Sequence, residues 1–153
     1  MKAPAVFASK FGSQVFLSPE FIIEKANRYY LLSPKLQKII RKDFYYAGLY
    51  LGKVKKGIFF PSFNLLNMIA KDGNKMTVDR KAAWLFICGR DIFCRGMTKV
   101  QGSKRNGDFT LILNEFGECL GFGMIVGDFE KAKKNDVCVS NVLDLGDFLR
   151  REG

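Results

Sequence analysis

The sequence predicts an α+β protein in two parts: an N-terminal α/β domain with a mainly antiparallel sheet over residues 1–76, then a small mixed β-barrel over residues 77–153. Three observations predict it. Hydrophobic residues make up 48% and charged residues 26% of the 153 positions, the balance of a chain that buries a core and far from that of a disordered one. The texture changes at the polar stretch Lys71, Asp72, Gly73, Asn74 and Lys75, which carries turn chemistry between two apolar regions. The charge changes with it. Met1 to Val78 holds 13 Lys and Arg against 4 Asp and Glu, a surplus of +9, whereas Asp79 to Gly153 holds 12 against 11, or +1. Each part is close to the lower size limit for one stable core, and no Pro/Ser-rich linker separates them, so the two are expected to pack on each other.

In the first part, Ser18-Pro19 and Ser33-Pro34 each place a capping hydroxyl before a proline suited to a first helical turn, and each predicts a short helix. Segments 29–32, 44–54 and 58–61 are rich in aromatic and β-branched residues and predict strands. Ser62 is a cap for a third helix over 63–70. In the second part, five short apolar segments at 83–88, 97–100, 109–113, 120–126 and 137–143 recur at barrel-like intervals. A helical piece is predicted at 90–94, and another over 145–151 after the cap Asp144. Phe122, set between Gly121 and Gly123, and Trp84 are assigned to the core, the two glycines marking a bulge or a tight barrel bend.

Several chemistries lack the residues they need. The chain has no histidine, which removes the usual general base and transition-metal ligand. Cys88, Cys94, Cys119 and Cys138 show no Cys-x-x-Cys spacing, so neither a structural zinc nor any other cofactor is expected, and the thiols are expected to be reduced and buried. Glu20, Glu24, Asp43 and Asp72 form no recognisable catalytic constellation, and a non-enzyme is expected. There is no apolar run of membrane-spanning length or signal peptide; a soluble, cytoplasmic monomer is the expectation, nucleolar if the source is eukaryotic. The formal charge of +10 attracts polyanions, RNA and DNA first.

The run Gly89-Arg90-Asp91-Ile92-Phe93-Cys94-Arg95-Gly96, with Leu120-Gly121-Phe122-Gly123 and Asp144-Leu145-Gly146-Asp147-Phe148-Leu149-Arg150-Arg151, resembles the PUA domain of the Nip-seven family of ribosome-biogenesis factors and their archaeal relatives. Tyr29-Tyr30-Leu31-Leu32-Ser33-Pro34-Lys35-Leu36 and Gly52-Lys53-Val54 resemble the latter part of that family's N-terminal domain. One departure is Arg95, which stands where many PUA domains have proline before the glycine. The resemblance implies a PUA-type mixed barrel at the C-terminus and a non-catalytic protein. It also implies that the chain binds ribosomal RNA precursors during large-subunit maturation, beside other assembly or RNA-processing proteins.

The residues themselves support an RNA track. Arg90, Arg95, Lys99, Lys104 and Arg105 fall within sixteen positions against the single acid Asp91. Gly89 and Gly96 bracket the segment and permit close approach of a ribose-phosphate backbone. Lys131, Lys133 and Lys134 on a polar loop, and Arg150 and Arg151 at the chain end, complete the candidate RNA-binding set. The blander reading of the same residues is turn glycines, a solvated cationic rim and cations that complement a helix dipole. In the first part, Lys53, Lys55 and Lys56, with Arg41, Lys42, Tyr45, Tyr46 and Tyr50, are an accessory track or a defended sheet edge. Two other classes stay open: an adaptor binding assembly factors through its first part, and an accessory subunit of an RNA-modifying enzyme.

Overall fold

The computed structural model describes residues 2–15, 18–39 and 48–152; Arg41, Lys42, Tyr45 and Tyr46 lie outside them. The chain opens with α1 (Ala3–Ser9), an element the sequence reading did not foresee. After Ser18-Pro19 comes a single 3-10 turn at Pro19–Phe21 in place of the expected helix, followed by β1 (Ile22–Lys25). The Ser18 hydroxyl caps no backbone amide and donates to the Glu20 carboxylate instead. The β-branched Ile22 and Ile23 pair with Leu31 and Tyr30 of β2 (Arg28–Leu31), so a ladder displaces a helix they would have disfavoured. The second expected helix forms as α2 (Pro34–Ile39), where the Leu36 amide donates to the Ser33 hydroxyl at 3.2 Å. Then follow β3 (Leu49–Lys55), β4 (Ile58–Pro61) and α3 (Phe63–Ile69), the last capped by Ser62, whose hydroxyl accepts the Leu65 amide at 3.2 Å. Strands β1 to β4 make one antiparallel sheet in sequential order.

β5 (Lys75–Val78) crosses position 76/77 and begins a second sheet. The run 83–88, expected as a strand, is the latter part of α4 (Arg80–Ile87) and its C-terminal cap Cys88. The Asp79 carboxylate caps it by accepting the Ala82 amide at 2.8 Å, and its apolar residues divide by face: Ala82, Ala83 and Phe86 are buried, Trp84 is 67% exposed. That corrects the core assignment of Trp84. The 90–94 segment, expected as helical, is instead extended through β6 (Ile92–Phe93), with a 3-10 turn only at Cys94–Gly96, because Phe93 and Ile92 pair with Val137 and Val139. The expected strands follow as β7 (Met97–Gln101), β8 (Phe109–Leu113), β9 (Cys119–Ile125) and β10 (Val137–Asp144), and the expected last helix as α5 (Leu145–Glu152). Asp144 does cap α5, accepting the Asp147 amide at 2.7 Å.

The second sheet runs β6-β10-β9-β8-β5-β7. It is antiparallel except for the parallel β5–β8 pair and curls into a half-barrel. Met76, Val78, Phe86, Ile92, Ile112 and Val139 fill the space between it and α4. A second core is shared by both sheets: Phe7 and Phe11 from the N-terminal segment, Leu51, Leu65 and Ile69 from the first sheet and α3, and Leu111, Phe122 and Leu143 from the second sheet. Phe122 lies at its centre, with ring centroids 5.3 Å from Phe7, 5.4 Å from Phe11 and 5.5 Å from Phe109. Gly121, beside it, has φ +141° and lies so close to the Leu143 carbonyl that no side chain fits. Here β10 changes register, the tight bend the glycine pair foretold.

Because the fully buried Phe11 lies in the core that both sheets share, Phe11→Ala is expected to cost about 3–5 kcal/mol and to melt the whole chain earlier in one transition. Phe116, 78% exposed, serves as the control: Phe116→Ala should leave a denaturant melt within about 0.5 kcal/mol. Two separated transitions in the Phe11→Ala melt would contradict the shared core.

Candidate nucleic-acid interface

Of the candidate site residues, Arg95 and Gly96 meet the N-terminal end of α4. The Asp79 amide donates to the Gly96 carbonyl at 2.8 Å, which seats the 91–96 segment against the helix start. At Gly96 a Cβ would lie 2.5 Å from the Ala82 Cβ, so glycine is needed here for close approach of segment to helix. Gly89, at the other end of the segment, has φ +92° and open space around it; it turns the chain out of α4. Asn141 of β10 braces the turn, donating from its side chain to the Phe86 carbonyl at 2.9 Å, while the Asp91 carboxylate accepts the Asn141 amide at 2.8 Å. Between α4 and 91–96 lies an open pocket of about 300 Å³ whose rim includes Lys81, Leu85, Asp91, Phe93 and Arg95.

Arg95 is exposed, bonds the Asn135 side-chain oxygen at 2.8 Å and lies over the Phe93 ring, 5.2 Å from its centroid. Its amide donates to the Lys134 carbonyl at 3.0 Å, and the Cys94 amide to the Asp136 carbonyl at 2.9 Å. Residues some 40 positions apart are thereby joined, and the backbone of Lys134 is brought beside Arg95. The 127–136 loop also reaches the other way. The Gly127 amide donates to the Asn106 side chain at 2.9 Å, in the turn that carries Lys104 and Arg105. That turn lies at the far end of the β5–β7 pair, where Lys75 opposes Gln101, while Val78 opposes Met97 at the pocket end. The predicted stripe is thus two clusters, Arg95 with Lys133 and Lys134, and Lys104 with Arg105, linked by the loop bearing Lys131. Exposed Lys99, paired with Thr77, lies between them on β7.

Not every candidate joins this surface equally. Arg105 is engaged by its own turn, 3.3 Å from Asp108. The Asp108 carboxyl is held below its usual range by the Ser103 hydroxyl and by Arg105. Arg90 is exposed at the α4 exit, its carbonyl 3.3 Å from the Asn141 side-chain amide, on the side facing β10. Arg150 stands 3.7 Å from the capping Asp144, and the Arg151 side chain lies outside the described residues. Two residues were missed. Lys81 and Trp84 follow one another at i and i+3 on the exposed face of α4, and only a helical reading of 80–87 would have found them.

The thiols differ from the all-buried expectation: Cys88 is exposed just past the end of α4, Cys94 and Cys119 are half-buried and Cys138 is buried. Burial pushes the Cys119 thiol up to about 11, and burial beside Cys94 pushes the Cys138 thiol up to about 12, so both are protonated near neutrality. Among the described residues no cluster of His, Cys, Asp or Glu could hold a metal ion, and no helix is long and apolar enough to cross a membrane.

Residues 74–153 match the family model described as the UPF0113 PUA domain. A UPF0113 protein of Archaeoglobus fulgidus is 26% identical over 151 residues, spanning 94% of this chain and 86% of the relative. Among solved structures, a PUA domain from Aeropyrum pernix K1 in complex with tartrate is similar with a TM-score of 0.53 and 27% identity, covering 61% of this chain and 55% of that one. A conserved PUA domain protein from Thermoplasma acidophilum shares the fold over 98% of this chain and 93% of its own, with a TM-score of 0.63 and 21% identity.

The Gly96–Ala82 approach sets the pocket's width. Gly96→Ala is expected to destabilise the protein by about 1–3 kcal/mol through overpacking, and the loss should shrink in an Ala82→Gly background. Strict additivity in this double-mutant cycle, measured by denaturant unfolding, would show that the segment is not pressed on the helix.

Proposed function

This chain belongs to the UPF0113 PUA domain family, and from that premise we propose that it is a non-catalytic RNA-binding protein. It takes single-stranded RNA on the face built by α4, the 89–96 segment and the 127–136 loop. PUA domains commonly bind RNA. The observation that carries the reading is Trp84. An indole two-thirds exposed on a helix offers an open ring for a base, and Lys81 precedes it by three residues on the same exposed face. Arg95 lines the pocket opposite Lys81, and the exposed Lys133 and Lys134 lie on the loop bonded to its backbone, cations that would meet phosphates. Stacking of a base on an aromatic ring contributes about 1–3 kcal/mol, while cations along a groove fix the backbone.

Within this reading residues 77–153 are the RNA-binding unit and 1–76 an accessory surface. The finer assignment follows the Nip-seven resemblance: a cytoplasmic monomer acting on ribosomal RNA precursors in large-subunit maturation, beside other assembly proteins. Crosslinking from intact cells with the bound RNA sequenced tests that assignment, and failure to enrich ribosomal RNA overturns it while leaving RNA binding untouched.

Trp84 is the chain's single tryptophan, so its fluorescence reports on this face alone. Titration with a single-stranded oligonucleotide is expected to quench it, and Trp84→Ala to weaken binding by about 1–3 kcal/mol. Lys81→Ala combined with Arg95→Ala should lower the log-log salt slope by about 1.4, at 0.7 per phosphate contact. Full binding by anisotropy with unchanged tryptophan emission would place the RNA elsewhere.

A further inference from the structure

We propose that the outer face of the four-stranded sheet is a second phosphate-binding surface, onto which RNA held at α4 continues. This rests on the RNA-binding reading above and extends it to the first part of the chain. The observation is a cross-strand row. Lys25 opposes Arg28, Arg28 opposes Lys53, and Lys53 opposes Phe60, across all four strands. Directly opposed residues of antiparallel strands share a face, with Cβ atoms about 4.5–5.5 Å apart. Val54 packs on the shared core, so Lys53 and Lys55 on either side of it point outward. Three cations therefore stand shoulder to shoulder.

Like charges placed opposite one another destabilise a sheet, and a defended edge is the usual reason to tolerate lysines on one. That reason does not reach Arg28 and Lys53. With the order β1-β2-β3-β4, β2 and β3 are the two inner strands. Among the described residues no ion pair reaches Arg28, Lys53, Lys55 or Lys56. A polyanion is the partner whose charge complements the row. Phe60 argues for a nucleic acid, because its half-buried ring and Lys53 together line an open hollow of about 430 Å³ with Lys55, setting an aromatic surface beside cations that would meet phosphates.

The two surfaces have a physical bridge in α5. At one end Gly146 approaches the Ile87 carbonyl too closely to carry a side chain, which seats α5 on α4. Further along, Phe148 meets Phe63 edge-on at 5.3 Å and lines a small hollow with Lys53 and Phe60. Helix α5 thus touches the C-terminal end of α4 at Ile87 and the hollow beside Lys53 at Phe148, so an RNA long enough to pass along it reaches both surfaces.

The test compares single-stranded RNAs of about 6 and about 20 nucleotides. The triple variant Arg28→Gln, Lys53→Gln, Lys55→Gln is expected to bind the short RNA as the parent does. It should bind the long RNA at least about tenfold more weakly, with a salt slope lower by about 2. Its RNA-free melting temperature should be unchanged or higher, because repulsion is relieved. The control Lys35→Gln, Lys38→Gln, Lys71→Gln removes equal charge elsewhere. Equal losses in variant and control, or no loss for the long RNA, overturn the proposal, the latter also being the outcome if the row serves an acidic protein. In the unmodified chain, long but not short RNA should protect Lys53 and Lys55 from acetylation, and absence of that protection overturns the proposal independently of any variant's folding. If removing Lys81 and Arg95 leaves both lengths bound as before, the α4 reading itself falls, whatever the sheet does.

Discussion

The contact of Phe122 with Phe7 and Phe11 is the constraint on which the other arrangements rest. These rings, with Phe109, join α1 and the first sheet to β8 and β9, and neither part could bury them alone. Aromatic clusters of this kind dominate the apolar burial of small proteins and favour the tilted and edge-on contacts seen here. With the β8–β9 face covered in this way, α4, the 89–96 segment and the 127–136 loop remain open to solvent.

Electrostatics distinguish that open face beyond what net charge conveys. The second part of the chain is nearly neutral by count, yet five of its eleven acids are bonded to backbone amides. Asp79 and Asp144 cap helices; Asp91, Asp128 and Asp136 accept the amides of Asn141, Glu130 and Lys133. The cations Lys81, Arg95, Lys99, Lys133 and Lys134 stay exposed. A phosphate arriving at the surface meets the cations at contact distance, while each of those carboxylates already has a hydrogen-bonded partner. Contact distance governs, since remote charges are screened beyond about 8–10 Å at physiological salt.

Local chemistry was the legible part of the sequence. Ser62, Ser33 and Asp144 announced their helices, and the Gly121–Phe122–Gly123 triplet announced a core aromatic at a barrel bend. The misses share a cause, which is tertiary context. The run 83–88 is short and apolar, and such runs do not reveal their period; the cap at Asp79 and the exposure of Trp84 decide for a helix. β5 has only Met76 and Val78 as apolar anchors, and its partners lie in β7 and in the parallel β8, pairings no local pattern encodes. Of the candidate site, Arg95 and the loop lysines are brought together by backbone bonds across 40 positions. Lys104 and Arg105, nearer to Arg95 in sequence, fall at the opposite end of a strand pair. Lys81 and Trp84 were invisible for as long as their helix was.

The central claim is that RNA lies on the α4 face, and the most direct measurement is photo-crosslinking of the intact protein to single-stranded RNA carrying photoreactive uridines, with the linked peptides mapped. Crosslinks within 80–96 and 127–136 are the predicted result. Crosslinks confined to the apolar groove lined by Val6, Ile58 and Val142, with none on α4, would contradict it.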